Sequence, residues 1–299
     1  MAKKMLFLFV LLLSLTGMLK AQVTTAGMSG KVMADEESVI GATVVAVHEP
    51  SGTSYGTVTN VDGRFSLQGM RSGGPYKVTV SYIGYQTAIY TDIQLQLGET
   101  YSLNVTLHEA SELLGEITIT ASKSKFSAEK TGATTNISSE QLTTLPSINR
   151  SISDFTRISP YASGNSFGGR DGRSNTFTVD GANLNNNFGL SSGLPGGGNP
   201  ISLDAIDEVQ VVIAPYDVRQ ANFIGAGINA ITKSGTNAYR GSAYMYFNNE
   251  VMRGNKIGDT DFGARAEESK TVYGATFGGP IIKDKLFFFA NVEYEKSPQ

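Results

Sequence analysis

The chain contains no cysteine, so a disulfide framework, a thiolate metal site and a cysteine nucleophile are all excluded. Stability must come from folding alone. Only two histidines are present, His48 and His108, and a pair so far apart makes no convincing metal site. Basic residues are not in excess: 24 Lys+Arg stand against 27 Asp+Glu, a formal net charge of −3, which argues against nucleic acid as the main partner. Past the first twenty or so residues no apolar run approaches the roughly 18 to 20 residues that a spanning helix needs. Any insertion into a bilayer must therefore use β-strands, whose apolar signal alternates and is diluted by polar residues.

The first residues carry a different signal. Lys3 and Lys4 precede the apolar run Met5 to Leu13, and Ala21 precedes Gln22, which is the layout of a secretory signal peptide over residues 1–21. Leu19, three residues before the cut, is larger than the small residue usual there. At 299 residues the remainder has room for two or three domains rather than one core.

From Gly30 to Leu107 short β-rich runs alternate with turn residues. Val39 to Val47 is rich in β-branched residues, Tyr76 to Tyr82 alternates, and Tyr101, Leu103, Val105 and Leu107 share one strand face. Pro50-Ser51-Gly52, Val61-Asp62-Gly63 and Ser72-Gly73-Gly74-Pro75 supply turn chemistry between them. About seven strands in this space predict a small β-sandwich. The stretches Gly30-Lys31-Val32, Ile40 to Val44, Thr59 to Leu67 and Val80 to Tyr85 resemble the carboxypeptidase-regulatory-like domain, which implies a sandwich over 27–108 and no peptidase. Asn60 and Asp62 before Gly63 read as a β-turn rather than a calcium loop, because Val58 stands where an acidic ligand would be needed and no flanking helices are present.

Residues 109–130 are charged and serine-bearing, with one β-prone patch, Glu116-Ile117-Thr118-Ile119-Thr120. Read alone, it is either a linker with a stray strand or a segment whose extended backbone adds to a partner's sheet edge, with Ile117 and Ile119 on one face. In this position it resembles a TonB box, which implies the periplasmic C-terminal domain of TonB as partner.

The next hundred residues change texture. Ser138 to Leu145 predicts a short helix with a Ser138…Gln141 capping box stopped by Pro146, and Ser151 to Ser159 predicts a second, ended by Pro160. Then come Gly168-Gly169-Arg170-Asp171-Gly172, the strand and turn Thr176 to Gly181, Ile206 to Val212, and the Gly-rich Gly225 to Gly235. Their order resembles the plug of TonB-dependent receptors, an α+β domain expected over 131–236, with Arg170, Asp180 and Gly181 as its motif residues. Pro215 to Arg219 replaces the small-residue stretch more usual in that family. The Asn- and Gly-rich stretch Asn183 to Asn199 reads as a long loop, either an apical ligand contact or filler.

From residue 237 onward the pattern is two-residue alternation. Tyr239, Gly241, Ala243, Met245 and Phe247 oppose Arg240, Ser242, Tyr244, Tyr246 and Asn248; Thr271, Tyr273, Ala275 and Phe277 form a second face; Leu286, Phe288, Ala290, Val292 and Tyr294 a third. Strands near ten residues long with apolar outer faces fit an outer-membrane barrel, with Gly279 to Lys285 as a short periplasmic turn and Asn249 to Glu268 as a long extracellular loop. The run Phe277 to Phe289 is similar to the first barrel hairpin of Oar-like TonB-dependent receptors. Such receptors close about two dozen strands, so residues 237–299 are expected to be the start of a truncated barrel that forms no transport pore by itself.

The fold expected is thus mainly β: an N-terminal β-sandwich, an α+β plug and the first strands of a transmembrane β-barrel. The resemblance implies an outer-membrane protein in outer-membrane lipid, its N-terminal domain in the periplasm, that imports an extracellular ligand by TonB-driven plug movement. An adhesion protein without transport and a regulatory receptor are the alternatives. No catalytic residue, cofactor or metal is expected. Gly189-Leu190-Ser191-Ser192-Gly193 matches a nucleophile elbow only in letters, since it lies in a polar loop and both histidines precede it.

Overall fold

A computed structural model describes residues 24–34, 37–109, 117–120, 133–147, 150–185, 201–215, 220, 223–263 and 269–296. Residues 1–21, expected to be a signal peptide, Glu116, Ser191 and residues 216–219 lie outside the described residues.

The first domain is two facing sheets. One is organised around β1 (Ala26–Ala34), which pairs antiparallel with β2 (Glu37–Ser38) and later with β5 (Arg64–Met70). The other orders β4 (Thr53–Val58), β3 (Thr43–His48), β6 (Gly73–Ser81) and β7 (Ala88–Leu95) as antiparallel neighbours. Period-two alternation puts Val44, Ala46, Val78 and Val80 against Met28, Val32, Phe65 and Leu67, all buried in one core. The β-branched run that begins at Val39 does not start a strand there: Gly41 turns at φ 78° and β3 begins at Thr43.

The alternating run Tyr101 to Leu107 also differs from expectation. It is two strands, β8 (Thr100–Ser102) and β9 (Val105–Leu107), both parallel to β1. The break falls where the Leu103 N–H donates to the Ser29 carbonyl (2.8 Å) and the chain passes so close to Gly30 that a Cβ there would overlap the Leu103 carbonyl. At the 60–63 turn Asn60 Oδ1 accepts from the N–H groups of Asp62 (3.0 Å) and Arg64 (2.8 Å), and Gly63 takes φ 71°. A further strand, β10 (Ile117–Thr120), lies parallel to β7 at the edge of the second sheet.

The middle domain orders its sheet β11 (Ala133–Ser138), β16 (Ile206–Ala214), β17 (Gly227–Thr232), β14 (Thr176–Val179) and β15 (Ala182–Asn183). Two short helices, α1 (Ser139–Thr144) and α2 (Ile152–Thr156), cover it, contributing Leu142, Ile152 and Phe155 to a core with Ile137, Val209 and Val211. α1 starts where the capping box predicts, with the Ser138 N–H donating to Gln141 Oε1 at 3.0 Å. α2 is shorter than the nine-residue reading, because the chain leaves helical bonding after Thr156 and turns through Ser159 toward Pro160. Two small strands, β12 (Ala162–Ser163) and β13 (Ser166–Phe167), make a hairpin beside it.

The last sheet is a three-stranded wall of β18 (Arg240–Asn249), β21 (Ser269–Ile282) and β22 (Leu286–Lys296). Between the first two lie a short 3-10 turn, Glu250–Arg253, and a minor hairpin of β19 (Lys256–Ile257) and β20 (Thr260–Asp261). The connection beginning at Gly279 is shorter than expected: β21 continues to Ile282, leaving only residues 283–285 as the turn. A register shift between Pro280 and Ile282 absorbs the proline, which has no N–H to give to the ladder.

Candidate functional site

Register sorts the wall into two faces. Met245, Tyr273 and Tyr294 align across the strands, as do Ala243, Ala275 and Val292, and most large members of this face are exposed: Met245 59%, Tyr273 49%, Val292 66%, Tyr294 62%. A contiguous exposed apolar face of this width on strands of this length fits hydrocarbon as its solvent. The opposite face aligns Tyr244, Gly274 and Glu293, then Ser242, Thr276 and Asn291, and it meets the middle domain.

That contact is polar. Tyr244 OH donates to Glu293 Oε2 at 2.7 Å, and Ser202 Oγ donates to the same oxygen at 2.9 Å. The Tyr244 ring lies over Gly274, where a Cβ would overlap it; no larger residue leaves room for the phenol to reach Glu293. Beside it Arg150 pairs with Asp204 and sets its guanidinium 3.7 Å from the Tyr246 ring centroid and 4.8 Å from that of Tyr244. Sequence reading missed this cluster. Its polar pairs join distant segments, Arg150 to Asp204 across 54 positions and Tyr244 to Glu293 across 49, and only the strand faces hinted that Tyr244 and Tyr246 point inward.

The motif residues fall in two places. Asp180 (φ 49°) and Gly181 (φ 81°) make the tight turn between β14 and β15, a left-handed pair that glycine favours at its second position. The Asp180 carboxylate accepts from the Thr232 N–H (2.9 Å) and Oγ1 (2.7 Å), so the turn is tied to the end of β17. Arg170 is exposed at the β13 turn, where its N–H donates to the Phe167 carbonyl and its own carbonyl accepts from Ser166 Oγ. It does not join Asp180.

The coupling-segment candidate is strand-like, as its composition predicts, but its backbone is engaged. Ile117, Thr118, Ile119 and Thr120 pair in parallel register with Ala88, Ile89, Tyr90 and Thr91 of β7.

The sandwich also meets the middle domain. In the turn after β7, the Leu97 N–H donates to both oxygens of Glu208 (3.1 and 3.2 Å), while Gln210 Nε2 donates to the Leu97 carbonyl. Glu208 and Gln210 are two residues apart on β16 and so share a face; Val209 and Val211 point into the core. Both polar side chains are buried. Burial pushes the Glu208 carboxyl up to about 7, against the Leu97 N–H that favours its charged form, with Asp207 and Glu99 raising it further. Asp207 is raised by burial too, opposed by Arg71 and Lys233. In the sequence Glu208 and Gln210 alternate with Val209 and Val211 as on any strand with one polar face, so nothing there marked that face as covered.

No cluster of His, Asp or Glu able to hold a metal ion occurs among the described residues. No helix of the described residues is long and apolar enough to cross a membrane, which says nothing of strands.

The described chain is thus a sandwich, an α+β domain lodged against strands and an apolar-faced strand wall. Residues 27–108 match the carboxypeptidase regulatory-like domain and residues 231–299 match the outer membrane beta barrel domain. The chain is similar to the TonB-dependent transporter Oar of Myxococcus xanthus, 26% identical over 252 residues that make up 78% of this chain and 23% of that protein. It therefore spans about a quarter of the length of that relative. The siderophore receptors PirA of Acinetobacter baumannii and Pseudomonas aeruginosa superpose with TM-scores of 0.41 and 0.42, at 23% and 19% identity, covering 55% and 56% of this chain and 24% and 28% of theirs.

Proposed function

We propose that the chain is the energy-coupling part of an outer-membrane receptor that binds an extracellular nutrient and imports it to the periplasm through TonB-driven movement of the plug. The observation that carries this reading is the extended strand Ile117–Thr120, which sits ahead of the plug and, among the described residues, pairs through its backbone with β7 alone. A strand held by one edge can be traded to another sheet edge, and strand addition is how an extended peptide is captured by main-chain bonds. Glu116 would precede that strand. Arg170, Asp180 and Gly181 shape the plug rather than carry out chemistry, and no covalent step is part of the function.

Orientation is supported by the short-turn end of the wall. There Asn237 N–H donates to the Pro50 carbonyl (2.9 Å), while Asn237 Nδ2 donates to Asp284 Oδ1 (2.7 Å) and the Asp284 N–H returns to Asn237 Oδ1 (2.9 Å). Barrel turns of this brevity face the periplasm, which supports a periplasmic sandwich.

The test is binding of the purified TonB periplasmic C-terminal domain to the full chain in detergent. Ile117→Pro with Ile119→Pro removes two backbone donors and is expected to weaken binding at least tenfold. Unchanged binding removes the assignment of this strand.

A further inference from the structure

Two turns of the sandwich reach two different parts of the chain. The 96–99 turn lies on the plug, where Glu208 and Gln210 grip both polar groups of Leu97 and the Leu97 side chain is fully buried. Around it Asn136 Nδ2 donates to Gln96 Oε1 (3.3 Å) and Glu99 Oε1 (3.2 Å), and Thr134 Oγ1 donates to Glu99 Oε1 (3.3 Å). The 50–52 turn lies on the wall's short turn, through Pro50 and Asn237.

Each turn carries a left-handed glycine at the point of closest approach. Gly98 has φ 70°, and a Cβ there would stand 2.8 Å from Gln210 Nε2; Gly52 has φ 68°, and a Cβ there would overlap the Asp284 carboxylate. Turn geometry alone would explain one glycine conformation. It does not explain why the direction a side chain would take is filled, in both turns, by a polar group of another domain.

We propose that the sandwich is a bracket, with one leg on plug strand β16 and the other on the 283–285 turn of the wall, fastening the plug to the wall at one end of the barrel. The leg on the plug recognises main chain rather than a side chain. A buried carboxylate and a buried carboxamide two residues apart match the N–H and C=O of one residue, and both would be left unpaired in low dielectric if any segment lacking that pair were seated there instead. That cost makes the contact specific to this turn. Where plug movement accompanies transport, a leg must release first; this consequence rests on the proposed function, whereas the bracket does not.

The experiment is amide hydrogen exchange on the full chain in detergent micelles, read at Leu97 and Asn237, with Val80 in β6 reporting that the sandwich is folded. Both reporter amides are expected to be protected in the unmodified chain. Gly98→Ala and Gln210→Ala should each speed exchange at Leu97 at least tenfold and leave Asn237 unchanged. Gly52→Ala and Asp284→Ala should do the reverse. Gln210 and Asp284 lie outside the sandwich, so the inference stays testable even where a glycine variant fails to fold. Exchange at Leu97 and Asn237 at the rate of unstructured peptide in the unmodified chain, or rates unmoved by Gln210→Ala and Asp284→Ala, overturns it. Binding of the TonB domain is a separate measurement: its absence with both amides protected removes the reading of Ile117–Thr120 and leaves the bracket standing.

Discussion

Glu208 offers a quantitative handle on the contact between sandwich and plug. The residue is 7% exposed and its pKa rises from 4.5 to about 7, chiefly through burial. When the Leu97 turn lifts away, water returns and the pKa falls back toward its ordinary value. The closed form therefore binds more protons than the open form between pH 4.5 and 7. The penalty is absent below the open-state value, grows as pH rises and levels off above about 7. Linkage between those two values makes closing less favourable at pH 8 than at pH 5 by about 2–3 kcal/mol, on the order of a hundredfold in the opening equilibrium. Exchange of the Leu97 amide, corrected for its intrinsic pH dependence, measures that equilibrium. Glu208→Gln keeps the shape and an acceptor for the Leu97 N–H but cannot ionise, so its protection should be nearly flat from pH 5 to 8 and exceed that of the unmodified chain at pH 8. A steep pH dependence retained in Glu208→Gln refutes the reasoning and moves the proton to another group, Asp207 and Glu99 being the nearest acids.

His48 is buried, with Nδ1 2.7 Å from Ser51 Oγ, and burial followed by the Arg71 charge lowers its pKa to about 4. The folded ring stays neutral where the unfolded ring protonates, so sandwich stability should fall as pH drops from 6.5 through 4, and the His48 NMR shift should stay flat down to about pH 5. Gly274→Ala should displace the Tyr244 ring, break its hydrogen bond to Glu293 and cost about 1–3 kcal/mol in denaturant unfolding; Tyr244→Phe in the same chain should not restore it, since the ring carbons themselves stand where the new Cβ would be, whereas Tyr244→Ala removes the clash. Asp180→Ala should cost about 1.5–3 kcal/mol, since two donors on Thr232 lose a charged acceptor; thermal melting with an unaltered Asp180→Ala midpoint would show that the turn holds itself.

Much of the architecture is legible in the residues because it follows from local patterning. Alternation over 239–248 and 286–294 predicts strands with one apolar face, and the register puts those faces in line. Ser138 and Gln141 predict where α1 starts, and Asp180-Gly181 a tight turn. The misreadings occur where a distant segment intervenes. Leu103 crossing Gly30 splits one expected strand into β8 and β9, and the shift after Pro280 lengthens β21 into an expected turn. The contacts between domains were hidden for the same reason. Nothing near Leu97 announces Glu208, 111 positions away, and the alternation of Glu208 and Gln210 with valines reads as an ordinary polar strand face.

The placement of β10 on β7 has a mechanical consequence. The two strands run parallel, with Ile117 opposite Ala88 and Thr120 opposite Thr91, and β7 runs on to Leu95 just ahead of the Leu97 turn. A force along the strand axis loads every bond of such a ladder at once, as shear. A force across it at one end opens the bonds in succession, like a zipper, at much lower tension. Whatever takes hold of this segment thus meets a resistance set by the direction of pull: an axial load passes into β7 and toward the plug, whereas a sideways one frees the strand and leaves both domains where they were.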